Sequence, residues 1–77
     1  MMRERIEAAV RAAVGDVPFV VERPRVLEHG DYSTNAALVG KLDAQELADK
    51  LQVEGVEKVE KVGKFINFFL SPDIIMQ

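Results

Sequence analysis

Cysteine and tryptophan are absent from these 77 residues, and histidine occurs once. Without cysteine there are no disulfides, thiolate metal ligands or thiol nucleophiles, a pattern that fits a reducing compartment such as the cytoplasm. No apolar run approaches the roughly 18 residues of a membrane-spanning helix. The charged start Met1-Met2-Arg3-Glu4-Arg5 leads into a periodic pattern instead of the apolar stretch of a signal peptide, so the chain reads as soluble, with no membrane partner. An excess of positive charge is lacking too. Ten Lys and Arg against 13 Asp and Glu leave a net charge of -3 and a pI near 5.0. General polyanion binding needs clustered cations, so any nucleic-acid contact by this chain must be local.

What is present is a globular balance, 48% hydrophobic residues and 30% charged. A chain this short holds one core and buries only about 60% of its unfolded surface, which predicts one domain of modest stability. Ile6, Ala9, Val10, Ala13 and Val14 recur at helical spacing and predict a helix from about Arg3 to Val14, stopped by Gly15. Val17 to Glu22 reads as a strand that ends before Pro24. From Arg23 to Ser33 no period holds and a loop is expected, in which Gly30 supplies an unusual backbone angle, Asp31 satisfies backbone amides and Tyr32 packs beneath.

Ser33, Thr34 and Asn35 offer capping oxygens ahead of a short helix at Ala36, and Asp43 accepts from the Glu46 amide at the start of a third helix that buries Leu47, Ala48 and Leu51. Val56-Glu57-Lys58-Val59-Glu60-Lys61-Val62 repeats every three residues, neither a strand's period nor a helix's, and is expected to be a bulged strand. Gly63-Lys64 turns the chain into Phe65-Ile66-Asn67-Phe68-Phe69-Leu70, whose composition is that of a strand. Ser71-Pro72-Asp73 carries helix-start signals with four residues after it. The expected fold is therefore α+β: an antiparallel sheet of about three strands packed on helices, in the order α-β-α-α-β-β. Residues 1–71 form the domain, and residues 72–77 begin a linker or helix cut at a domain boundary.

Enzymatic chemistry finds little to work with. His29, Asp31 and Ser33 alternate on one side of an extended segment, but a nucleophile also needs an oriented base, an oxyanion site and a cleft that so small a domain has little room for. Glu28, His29 and Asp31 lack further His or Cys ligands at metal-binding spacing. No catalytic residue, metal ligand or cofactor site is assigned, and the chain alone is expected to catalyse nothing. The last strand is more informative. Alternation sets Ile66, Phe68 and Leu70 on one face and Phe65, Asn67 and Phe69 on the other. If the helices cover the first face, the second presents rings and an amide, a surface on which an unpaired base can stack while its edge is read. Arg23, Arg25 and Lys64, at strand ends, are candidates for phosphate contacts. The same face could instead pack against a helix or the remainder of a longer chain, a structural or protein-interaction role that the acidic pI favours.

Three stretches carry a family resemblance: Val21-Glu22-Arg23-Pro24, then His29-Gly30-Asp31-Tyr32-Ser33-Thr34-Asn35-Ala36-Ala37-Leu38, then Phe65-Ile66-Asn67-Phe68-Phe69-Leu70-Ser71. Together they resemble the N-terminal additional domain of arginyl-tRNA synthetases. The resemblance implies an α+β domain, an antiparallel sheet on helices, that docks on the elbow of an arginine-accepting tRNA. There an aromatic residue and an Asn or Gln two positions on, here Phe65 and Asn67, contact D-loop nucleotides. It also implies a monomer whose partners are tRNA and the catalytic domain of a parent chain. Neither a His-Ile-Gly-His nor a Lys-Met-Ser-Lys-Ser segment occurs in the sequence. The ATP used by the family is therefore expected to bind elsewhere in the parent enzyme.

Overall fold

The computed structural model describes residues 2–24 and 30–71. Arg25, the loop residues Glu28 and His29, and the helix expected after Ser71 lie outside them. Helix α1 spans Met2–Val14, strand β1 Val21–Glu22, strand β2 Tyr32–Thr34, helix α2 Ala36–Gly40, helix α3 Ala44–Lys50, strand β3 Val56–Val62 and strand β4 Phe65–Leu70. The strands form one antiparallel sheet in the order β1-β2-β4-β3, with the aromatic β4 inside it. All three helices meet one face. Ile6 and Val10 of α1, Ala36 and Ala37 of α2, and Ala44, Leu47 and Ala48 of α3 close over Ile66 and Phe68 of β4. Ile6, Val10, Ala36, Ile66 and Phe68 are wholly buried, the outcome expected where apolar spacing of 3.6 meets apolar spacing of two.

The α+β class holds, with one strand more than expected. Tyr32–Thr34, expected to be loop and helix cap, pairs with β1 on one side and β4 on the other. Three residues are too few for alternation to register, and Gly30 with Asp31 disguises the start. Conversely, the strand expected over Val17 to Glu22 shrinks to its last two residues. Upstream, the amides of Val17 and Phe19 bond back to the carbonyls of Gly15 and Val17, and Pro18 has no amide to offer.

At Val20, side chains take the place of a neighbouring strand. Its N–H donates to Asn35 Oδ1 at 2.9 Å and its carbonyl accepts from the Thr34 hydroxyl at 2.8 Å. Asn35 therefore stands at the head of α2 without capping it by its side chain. The helix amide of Ala36 is served by Thr34 Oγ1 at 3.3 Å instead. Two further local expectations hold. Asp43 Oδ1 accepts from the Glu46 amide at 2.9 Å, and β3 is irregular between Val56 and Lys58.

Arg11 closes α1. Its guanidinium donates to the carbonyls of Gly15 and Val17 at 3.0 and 2.9 Å and stands 4.4 Å from the centroid of the Phe19 ring. Those two carbonyls, just past the helix end, already accept from the Val17 and Phe19 amides, so the cation adds a second donor to each and places positive charge at the helix C-terminus. Because the group is exposed and screened, Arg11→Ala is expected to cost about 1 kcal/mol. That is roughly a 4–8 °C fall in melting temperature for a domain of this size. An unchanged melting curve would show the clamp to be idle.

Candidate nucleic-acid interface

Strand register decides what faces away from the helices. Ser33 lies opposite Glu22 and Asn67, and Asn67 lies opposite Glu60, so these four side chains form one row across all four strands on the helix-free face. Phe65 and Val62, themselves paired, stand one step along toward the hairpin tip. At that tip Gly63 has a φ of +62° and Lys64 has no positive φ, the pattern of a type II′ turn that keeps two twisted strands in register. Lys64 is consequently exposed next to Phe65.

Val20, Glu22, Pro24, Ser33, Asn35, Val62, Phe65 and Asn67 enclose an open concavity of about 490 Å³, within the roughly 300–1,000 Å³ of ordinary ligand clefts. Its walls are a valine pair, a proline and one phenyl ring. Among the described residues its polar groups are two amides, a hydroxyl and a carboxylate, and Glu22 is the one charged residue of the lining. The hydrogen bonds from Thr34 and Asn35 to Val20 hold the β1 wall in place.

Phe65 and Asn67 thus come to one site, but on different terms. Phe65 is 46% exposed and free to present its ring, whereas Asn67 is only 3% exposed. The open, base-reading amide expected from alternation is a recessed one, flanked by Ser33 and Glu60 on the neighbouring strands. The cations gather less closely. Lys64 is beside Phe65 in the chain. Arg23 lies over the Tyr32 ring, 5.6 Å from its centroid, and does not line the concavity. Farther along the same face Lys58 stands 5.0 Å from the Phe69 ring centroid and 2.7 Å from Glu60. Sequence reasoning missed Val62, across the hairpin from Phe65, and Val20, Glu22, Pro24, Ser33 and Asn35 on the β1–β2 side as lining residues. The signal that could have found them is the alternation of Tyr32, Ser33 and Thr34, had those residues been recognised as a strand.

The loop residues Gly30 and Asp31 act as a structural latch. Asp31 N–H donates to the Phe68 carbonyl at 2.8 Å, and Asp31 Oδ2 accepts from the Leu70 amide at 2.9 Å. Gly30 lies against the same Phe68 carbonyl. The carboxylate expected to satisfy backbone amides does so, and it extends the contact of β2 with the far half of β4.

Comparison with known proteins gives a consistent result. The family described as "Arginyl tRNA synthetase N terminal domain" matches residues 1–70. An arginine–tRNA ligase of Ligilactobacillus salivarius is 38% identical over 75 residues, 86% of this chain and 13% of that protein. One from Clostridium botulinum is 32% identical over an alignment that covers 100% of this chain and 15% of the relative. The solved structure of Thermus thermophilus arginyl-tRNA synthetase superimposes with a TM-score of 0.79 at 31% identity, over 99% of this chain and 15% of that one. The chain therefore spans about one-seventh of the length of these relatives.

Proposed function

This chain belongs to the arginyl-tRNA synthetase N-terminal domain family, and on that premise we propose that it is a tRNA-docking module, binding the D-loop at the tRNA elbow without catalysing a reaction itself. The observation that carries the reading is Phe65, a half-exposed ring at the mouth of a concavity on the sheet face that no helix covers among the described residues. An unpaired base stacks on that ring. The recessed Asn67 amide, with Ser33 and Asn35 beside it, then offers donors and acceptors to the base edge. Lys64, next to the ring, is placed to meet a flanking phosphate. Arg23, held over Tyr32 on the helix-covered side of the sheet, is left out of this contact, and Arg25 is assigned to a flanking phosphate. In this reading the ATP-dependent joining of arginine to tRNA belongs to the remainder of a longer cytoplasmic enzyme.

Titration of a labelled arginine-accepting tRNA tests the proposal. With so few cations on the face, the wild-type chain should bind in the micromolar range or more weakly. Phe65→Ala should cost about 1–3 kcal/mol of that binding, the worth of one base stack, with little change in melting temperature. Equal binding by a folded Phe65→Ala chain would refute stacking.

One observation favours a second reading. Val20, Val62 and Phe65 are all more than 40% exposed and stand around the same concavity, and among the described residues no Lys or Arg lines it. An apolar surface of that kind also suits packing against other parts of a parent chain. That reading predicts tRNA binding indifferent to Phe65.

A further inference from the structure

Glu22 takes no part in stacking, yet it stands in the wall of the concavity, where an acid works against a polyanionic ligand. The other acid of its row, Glu60, is held 2.7 Å from Lys58 and does not line the concavity. Glu22 has no ion pair among the described residues. Its neighbours in the lining are set to receive a polar ligand. Among the described residues the recessed Asn67 side chain has no hydrogen-bond partner, and no polar side-chain atom is both sealed from solvent and unpaired, so its amide opens into the concavity. Asn35 Oδ1 is taken by the Val20 amide, which leaves the Asn35 NH2 group for a ligand. We propose that Glu22 is a specificity-determining residue of this site: it accepts from the exocyclic amino group of the stacked base and turns uracil away. That role rests on the base docking proposed above.

Hydrogen-bonding chemistry separates the bases. The Ser33 hydroxyl and the Asn67 amide each donate and accept and the free end of Asn35 donates, whereas the Glu22 carboxylate can only accept. Adenine, cytosine and guanine each carry an amino group, and a carboxylate accepts from such a donor at a base edge. Uracil carries none. Its edge donor, the ring N–H, sits between two carbonyl oxygens whose lone pairs would meet the carboxylate as well. Uracil in the concavity therefore strips water from Glu22 without replacing it, and a polar group left unpaired in this way is what rejects a mismatched ligand.

Strand order gives the carboxylate a direction. Strand β1 lies two strands from β4, about 10 Å at the usual spacing, a gap that the Glu22 side chain and a base lying on Phe65 bridge together. Lys64 stands beyond Phe65 at the hairpin tip, on the other side of the concavity. A nucleotide is thus drawn in with its base edge toward β1 and its phosphate toward Lys64, and the reversed orientation sets phosphate against Glu22. The same repulsion keeps backbone phosphates out of the concavity and leaves it to a base.

Pentacytidylate and pentauridylate test this, because their rings are alike in size and differ in the 4-amino group of cytosine against the 4-carbonyl of uracil. Titrated into the labelled 77-residue chain and followed by amide shifts, pentacytidylate should bind about tenfold more tightly. Glu22 is exposed, so its variants should fold with unchanged melting curves. Glu22→Gln, whose amide also donates, should bring the ratio to about twofold or less, mainly by gaining affinity for pentauridylate, and Glu22→Asp should keep the preference. Glu60→Gln removes a charge from the same face outside the lining and should strengthen both probes alike. A wild type that binds both probes equally or binds neither, a preference that survives Glu22→Gln, or a Glu22→Gln chain that gains both probes alike would each overturn the proposal. Arginine-accepting tRNA serves as the reference ligand. If tRNA still binds and still depends on Phe65, the role of Glu22 falls alone; if tRNA does not bind, the docking falls with it.

Discussion

Gly30→Ala is expected to destabilise the chain by about 3–4 kcal/mol, although it adds a single methyl group. Two costs combine at this position. The φ of +90° lies where an L side chain crowds its own backbone, worth about 1–2 kcal/mol. The added Cβ would also stand 2.7 Å from the Phe68 carbonyl oxygen and 3.3 Å from Cδ2 of Phe69. That oxygen cannot simply yield, because it already accepts from the Asp31 amide at 2.8 Å and belongs to the strand inside the sheet. Gly63→Ala isolates the first cost. Gly63 has a φ of +62° but nothing within 4 Å of an added Cβ, so only about 1–2 kcal/mol should be lost. Urea unfolding of both variants makes the comparison. Equal losses would show that the close approach to β4 contributes nothing.

That contrast also explains why the sequence was legible in some places and not in others. Signals contained within a few residues were readable: the helical stripe of α1, the Asp43 cap, the bulge in β3, and the run Phe65 to Leu70 with its inner face of Ile66 and Phe68. Features that depend on a distant partner were not. Tyr32–Thr34 is a strand because β1 and β4 stand on either side of it, and three residues carry no period of their own. Asn35 has the composition of a helix cap, but the Val20 amide, 15 positions away, captures its oxygen. The site shows the same division. Alternation placed Phe65 and Asn67 on one face, yet it could not show that Asn67 would be recessed to 3% exposure. It also could not show that Glu22 would be brought to the concavity by the β1–β2 pairing.

Phe68→Ala is expected to have the largest effect of any single truncation, about 3–5 kcal/mol. Phe68 is wholly buried and is among the largest side chains in the core. It lies between Tyr32 and Val59 in the sheet and belongs to the core that buried residues of all three helices share, so a cavity there opens inside that core. At about 0.05–0.15 kcal/mol per residue, a chain of this length has roughly 4–12 kcal/mol of stability in total, and toward the lower end of that range the loss should leave much of the population unfolded at 37 °C. Phe68→Leu keeps most of the apolar volume and should cost well under half as much, which separates cavity formation from loss of the aromatic ring. Phe65→Ala, three positions earlier on the same strand, supplies the opposite signature. Its ring is 46% exposed, so truncation should leave the melting curve nearly in place and show its loss in tRNA binding. Thermal melts and tRNA titrations of the three variants, read together, assign each ring to folding or to recognition. Comparable falls in melting temperature for Phe65→Ala and Phe68→Ala would mean that the helix-free face is core as well. The concavity would then lose its standing as a binding site.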